Sequence, residues 1–349
     1  MGKYIIKRLI LAFFTAFIVL SLTFFLVKSI PFSKPGGFPN EQYSYYMSQV
    51  HQGYVMQFIE PKSGYGELLF SYLDQSGKKP VTYYFYETPK LLQYFSWMKN
   101  ILTAWNWGTS THIEPNVDAL VIIGGRLPVS MKLNAISVVI SVPAGIGLGI
   151  YAALKKNKPS DNFISTAVMI LVSVPGFVLI TFLMLVFCYQ LKWLPTQWPN
   201  PEAPLRQKAL AYILPVFVLS LGSICGYTRF TRAELCEVLE SEYLLLARTK
   251  GLTKNQSIIR HALRNAMVPI VPSILAEIIG IMSGSMILEN LYGIPGYGSL
   301  YLDAINYKDY NVLFVDMAIF EMIGLISGIF LDLSYGLIDP RIRMGASNK

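Results

Sequence analysis

Six long apolar runs constrain this 349-residue chain more than any other feature. Lipid offers no partner to backbone polar groups, so a run of about 20 apolar residues reads as a spanning helix. Leu9 to Val27 carries no charge, and Leu133 to Leu154 sits between Lys132 and Lys155. Phe163 to Gln190 contains Pro175-Gly176, which is either a hinge or a tolerated kink. Ala209 to Tyr227 is flanked by Lys208 and Arg229. Ala266 to Leu288 holds one acid, Glu277, and Val312 to Ile338 holds Asp316, Glu321 and Asp332. The first run is too long for a signal core and no small-x-small cleavage site follows, so it reads as a retained anchor. The chain is therefore expected to be an all-α polytopic membrane protein with six transmembrane helices. The division expected is 1–30 as the first helix, 31–118 as an extracytoplasmic loop domain, and 119–349 as a five-helix core.

Orientation follows from Lys and Arg, which accumulate in cytoplasmic loops. With the N-terminus cytoplasmic, segments 1–8, 155–161, 229–265 and 339–349 lie inside and hold 16 of the 29 Lys and Arg. The longer outside segments 28–119, 191–208 and 291–311 hold 11. Both termini are then cytoplasmic. The net charge of +8 reflects topology rather than a nucleic-acid surface, because the basic loop lacks interleaved aromatics and lies against a bilayer. The segment 31–118 reads as short strands and turns, with an amphipathic helix at Leu91 to Leu102 against the membrane or the domain. Cys188, Cys225 and Cys236 have no metal-ligand spacing, nor do His51, His112 and His261. No nucleophile motif is present.

The stretch Ala247 to Asn265, ARTKGLTKNQSIIRHALRN, carries five positive charges and no acid. Glu234 to Lys250 is rich in helix formers, with acids early and bases late. Gly251 fits a left-handed cap. Thr253 and Gln256 fit a capping box that opens a second helix. The sequence thus predicts a helical hairpin on the cytoplasmic face. A basic loop that only sets topology is the plainer alternative, but orientation does not require caps. The functional reading is a docking element for a cytoplasmic partner.

Here the residues carry a resemblance. Glu242-Tyr243, Ala247-Arg248, Gly251-Leu252 and the run from Arg260 through Leu263 to Asn265 resemble the coupling loop of membrane subunits of ATP-binding-cassette importers. The likeness is to the branch importing oligopeptides, dipeptides and nickel. The general signature places Pro thirteen residues after the Gly, where this chain has Arg264. MGKYIIKRL at the start, GGRLPVSMKLN (Gly124 to Asn134), ENLYGIPGYGSL (Glu289 to Leu300) and DLSYGLIDPRIR (Asp332 to Arg343) are similar to that branch as well. Residues 32–90 match none of its motifs. The resemblance implies a type I importer permease fold with an extracellular insertion after the first helix, in a bacterial inner (cytoplasmic) membrane. It implies the first permease of a heterodimeric pair, two cytoplasmic ATPase subunits and an extracytoplasmic peptide-binding protein. ATP and Mg²⁺ are implied on the ATPase subunits and no cofactor on this chain, which has no G-x-x-x-x-G-K-[ST] pattern. Glu242, Tyr243, Ala247, Arg248, Gly251, Leu252, Arg260 and Leu263 are then the residues expected at the ATPase contact.

Acids inside apolar runs are costly and mark either polar packing gaps or a cargo route. Glu277 is placed on one helix face with Ser273, Gly280 and Gly284, and Glu321 with Gly324, Gly328 and Asp332. These are the pathway candidates. The rivals are a nickel or metal-chelate permease of the same family, a stand-alone channel or ion-coupled carrier, and a membrane-embedded enzyme. A lone carrier would show inverted repeats, and an enzyme would need a nucleophile or metal ligand beside its acids.

Overall fold

The computed structural model of the chain describes residues 2–30, 35, 37–62, 64–75 and 79–338. The basic tail 339–349 and the end of DLSYGLIDPRIR lie outside the described residues. The chain divides into two compact units: residues 1–125 with 300–322, and residues 126–299 with 323–349.

In the first unit, α1 (Gly2–Ser29) contains the first apolar run and is long and apolar enough over Ile6–Ser29 to cross a membrane. The segment after it holds strands and, over Leu91 to Leu102, the helix expected from its apolar spacing, but also a helix over Pro39–His51, where the sequence predicts strands and turns. α2 (Pro39–His51) is followed by β1 (Val55–Phe58), β2 (Leu68–Asp74) and β3 (Val81–Glu87), an antiparallel sheet in the order β1-β3-β2. Alternation along VTYYFYE turns Tyr83 and Phe85 toward α2. There Tyr46 stacks on Phe70 and Phe85, with ring centroids 5.0 and 5.5 Å away, and closes an aromatic core. α3 (Lys90–Ala104) completes the segment. Ser110 to Ile113 are pinned by the buried Asp309. Its Oδ2 accepts from the Thr111, His112 and Ile113 N–H groups at 2.9 to 3.1 Å and from Ser110 Oγ at 2.5 Å.

The second unit holds most of α4 (Ala119–Leu154), then α5 (Pro159–Ser173), α6 (Gly176–Gln190), α7 (Leu205–Leu239), α8 (Glu242–Thr249) and α9 (Lys254–Ala266). After these come α10 (Ile270–Gly280), α11 (Met286–Tyr292), α12 (Tyr297–Asn306) and α13 (Tyr310–Ile338). The last two cross the division between units. Among the described residues, four helices are each long and apolar enough to cross a membrane: Ile6–Ser29, Ala119–Leu154, Leu205–Leu239 and Tyr310–Leu331. Counting each bent pair as one span gives six.

The structure revises two of the expected runs. The third is bent by 95° between α5 and α6. Val174 turns extended and Pro175 caps α6, so Pro175-Gly176 marks a sharp corner rather than a mild kink. The fifth is not one helix from Ala266 to Leu288. It breaks at Met267–Pro269, bending 55°, and again after Gly280. Breaking a membrane helix frees carbonyls that need donors. Asn134 Nδ2 supplies them, to Ile281 O at 3.1 Å and Ser283 O at 2.5 Å. α4 also begins earlier than expected, so GGRLPVSMKLN is helical throughout, Pro128 included.

Candidate functional site

The basic hairpin is built by three local decisions. Ser241 takes extended backbone (φ −72°, ψ 144°) before α8. Its hydroxyl donates back to the Val238 carbonyl at 2.5 Å, the competition that short hydroxyl side chains offer a helix. The single helix expected over Glu234–Lys250 is therefore two, α7 ending at Leu239. Next, Gly251 takes φ +92°. A Cβ there would meet nothing within 4 Å, so the dihedral rather than crowding calls for glycine. Last, Thr253 opens α9. Its Oγ1 accepts from the Gln256 N–H at 3.3 Å and its own N–H donates to Gln256 Oε1 at 3.1 Å. This is the expected capping box.

The hairpin has an inner and an outer side. Leu244, Ala262 and Ala266 pack on Ala153 of α4 and on Leu235 and Cys236 of α7, with Leu263 at the margin. Ala247, Arg248 and Leu252 are half-buried, and Arg248 Nε donates to Ser257 Oγ at 3.3 Å across the turn. Glu242, Tyr243, Gly251 and Arg260 are exposed. So are Leu245 and Ile259, each 66% accessible, an apolar outlay that solvent alone does not favour. Over Ile258–Ala262, α9 is π-wound, a local irregularity frequent at functional sites.

Sequence reasoning missed the two ion pairs at the hairpin's base. Asp161, fully buried near the start of α5, accepts from Arg232 Nε at 2.5 Å and Nη2 at 2.7 Å, and from the Asn157 N–H at 3.0 Å. Lys156 pairs with Glu240. That bond holds the Lys156 ammonium above its ordinary value, but the pair is exposed and adds little stability. Acid and base stand 71 residues apart for Asp161 and Arg232, so no spacing rule finds them.

The pathway candidates fall into different surroundings. Glu277 lies on α10 with its Oε1 accepting from Ser141 Oγ at 3.4 Å. One turn away, Ser273 edges an open groove lined by Ser223, Gly226, Tyr227, Arg229 and Phe230. Gly280 ends α10, so Gly284 does not share its face. Instead a Cβ at Gly284 would meet the Gly298 nitrogen at 2.3 Å, a backbone-to-backbone packing position. Gly324 and Gly328 on α13 are exposed with nothing near a Cβ. Glu321, one turn away, keeps Oε1 buried and without a hydrogen-bond partner among the described residues.

Two of the quoted motifs meet in space. Glu289, 2% exposed, accepts from Ser130 Oγ at 2.7 Å and the Ser285 N–H at 3.1 Å on Oε1, and from the Ser299 N–H at 3.0 Å on Oε2. Ser130 Oγ in turn accepts from the Tyr297 N–H at 2.7 Å. A Cβ at Gly296 would lie 2.3 Å from Glu289 Oε2. Thus ENLYGIPGYGS and GGRLPVSMKLN form one buried carboxylate knot. The available signal was an acid at the end of an apolar run, followed by three close-set glycines.

Residues 145–344, which contain the hairpin, match the family described as "Binding-protein-dependent transport system inner membrane component". The chain belongs to this family. It is a multi-pass inner-membrane permease of a binding-protein-dependent ABC importer. It is 30% identical over 345 residues to the dipeptide transport system permease protein DppB of Bacillus subtilis (strain 168), covering 99% of each chain. Against the oligopeptide transport system permease proteins OppB of Haemophilus influenzae and Escherichia coli (strain K12) it is 30% and 31% identical, covering 98% of this chain and 100% of theirs. Residues 32–90, which match no quoted motif, therefore fall within relatives aligned along nearly the whole chain. A solved amino acid ABC transporter crystallised with histidines overlays 62% of this chain and 94% of its own, at 18% identity and a TM-score of 0.49.

Proposed function

We propose that this permease imports short peptides, forming the translocation pathway with a second permease as the first member of the pair. The observation that carries the reading is the run of dipeptide and oligopeptide permeases aligned over 98–99% of the chain. The chain does no bond chemistry. ATP and Mg²⁺ belong to two cytoplasmic ATPase subunits, and an extracytoplasmic binding protein delivers the cargo. The hairpin is the ATPase contact. Glu242, Tyr243, Gly251 and Arg260 are exposed, Ala247, Arg248 and Leu252 line the turn, and Leu263 ties α9 to the inner cluster. Because Leu244, Ala262 and Ala266 pack on α4 and α7, a displacement of the hairpin loads those helices directly. ATPase closure then biases the spans between inward- and outward-open states. Glu277 with Gly280, and Glu321 with Gly324 and Gly328, are the proposed cargo-facing positions. Gly284, by its packing, serves the wall's shape.

The chain should co-purify with an ATPase subunit bearing a Walker A sequence. The reconstituted assembly should take up short peptides only when ATP and the binding protein are supplied. Uptake of a nickel chelate but not of peptides would overturn the cargo assignment. Transport by this chain without ATPase subunits would overturn the whole reading.

A further inference from the structure

α3 presents three arcs, and only two are covered. At about 100° per residue, Gln93, Trp97 and Ile101 share the buried arc. Trp97 lies ring to ring 5.1 Å from Phe24 of α1 and 4.8 Å from Phe314 of α13, and Tyr94 stacks on Phe25 at 5.2 Å. The Tyr94 hydroxyl reaches Ser21 Oγ at 2.8 Å. Ser21 lies eight residues from the Ser29 end of the Ile6–Ser29 span, about 12 Å along its axis. α3 is therefore held beside the apolar span of α1, level with Ser21 to Phe25. The second arc is polar. Asn100 Nδ2 donates to Gln52 O at 3.4 Å, and Ser96 packs so closely on Gly53 that a Cβ there would lie 2.8 Å away. The third arc holds Leu91, Phe95 and Leu102 within about 40° of one another, each 63–73% exposed.

We propose that this third arc faces acyl chains, so that α3 lies within the leaflet at the Ser29 end of α1 as a partly embedded helix additional to the spans. Continuity decides the occupant. Beside Phe25, Leu22 and Leu26 are exposed apolar residues inside a membrane span, and Tyr94 joins the two helices there. Lys90 and Lys99 are exposed on α3 and Trp105 follows its end. A lysine stem can snorkel and an indole suits the headgroup level. Burial against α1 on one side and the sheet segment on another fixes α3 at this depth without a span of its own.

The three native cysteines are buried, so single surface cysteines can be spin-labelled in the complete importer in lipid nanodiscs. Phe95→Cys and Leu102→Cys labels should relax several-fold more with oxygen, which concentrates in lipid, than with a water-soluble nickel chelate. Thr103→Cys, on the polar side of the same turn, should show the reverse preference. A stronger chelate response at 95 and 102 would place the arc in water. A response to neither reagent would place it under another subunit. Either result overturns the proposal.

Discussion

Replacing Glu289 with Gln changes one oxygen into NH₂ and nothing in volume. Three donors converge on the carboxylate, two on Oε1 and one on Oε2. The best amide orientation keeps its oxygen toward Ser130 and Ser285 and turns NH₂ toward the Ser299 N–H, donor against donor. Ser299 is itself buried, so water does not replace the lost acceptor. Losing one hydrogen bond to a charged group costs about 1.5–3 kcal/mol, and orphaning a buried N–H adds about 1–3 kcal/mol. These overlap, so Glu289→Gln should destabilise the subunit by about 3 kcal/mol. Glu289→Ala should cost more, since it strands all three donors. Denaturation of the purified subunit, followed by tryptophan fluorescence in mixed micelles, measures this. Asn290→Gln, one residue away and exposed, should stay within about 0.5 kcal/mol of the parent. If Glu289→Gln also stays within about 1 kcal/mol, the knot does not hold these two motifs together as argued.

Gly251→Val forces a β-branched residue to φ +92°, a local cost of about 1–2 kcal/mol. It should leave membrane insertion intact yet lower cargo-stimulated ATP hydrolysis and uptake, and normal uptake by this variant would remove the hairpin from the coupling role. Arg232→Ala strands the buried Asp161 carboxylate and should destabilise by about 3–5 kcal/mol, while Asp161→Leu with Arg232→Met should recover most of it; a double-mutant cycle with no coupling energy would show the pair idle. In intact cells, a cysteine at Gln75 should react with an impermeant thiol reagent and one at Lys158 should not, and the opposite pattern would invert the orientation derived from Lys and Arg.

Much of the architecture was legible because burial in lipid leaves so few options. α1, α4, α7 and α13 each contain an expected apolar run, and the caps at Gly251 and Thr253 could be read residue by residue because capping is local. What failed to show was decided by contacts distant in sequence. Ser241 could have continued a helix on propensity alone. It breaks one with its hydroxyl on the Val238 carbonyl, and the break goes with Leu244 packing in one cluster with Leu235 and Ala153. The break after Gly280 is possible because Asn134, far away in the chain, donates to the freed carbonyls. The same holds for Asp161 and Arg232, whose partnership is invisible until α5 and α7 are side by side.

The acids in and beside the apolar runs sort themselves by how completely the chain solvates them. A carboxylate taken out of water must recover its lost hydration from fixed donors. Asp161 recovers it from a bidentate guanidinium, Asp309 from four N–H groups and a hydroxyl, and Glu289 from two N–H groups and a hydroxyl. These three are finished within this chain, and their work is to hold the fold. Glu277 accepts from one hydroxyl among the described residues, Ser141 Oγ at 3.4 Å, close to an open groove. Glu321 has a buried oxygen with no hydrogen-bond partner among the described residues, on a face where Gly324 and Gly328 leave room. An acid so incompletely solvated is costly to this chain alone. Its completion from outside, by water or cargo in a wet cavity or by the sibling permease, is what the proposed pathway requires of Glu321 and, less strictly, of Glu277. The finished acids carry no such requirement, and for that reason they are left out of the proposed pathway.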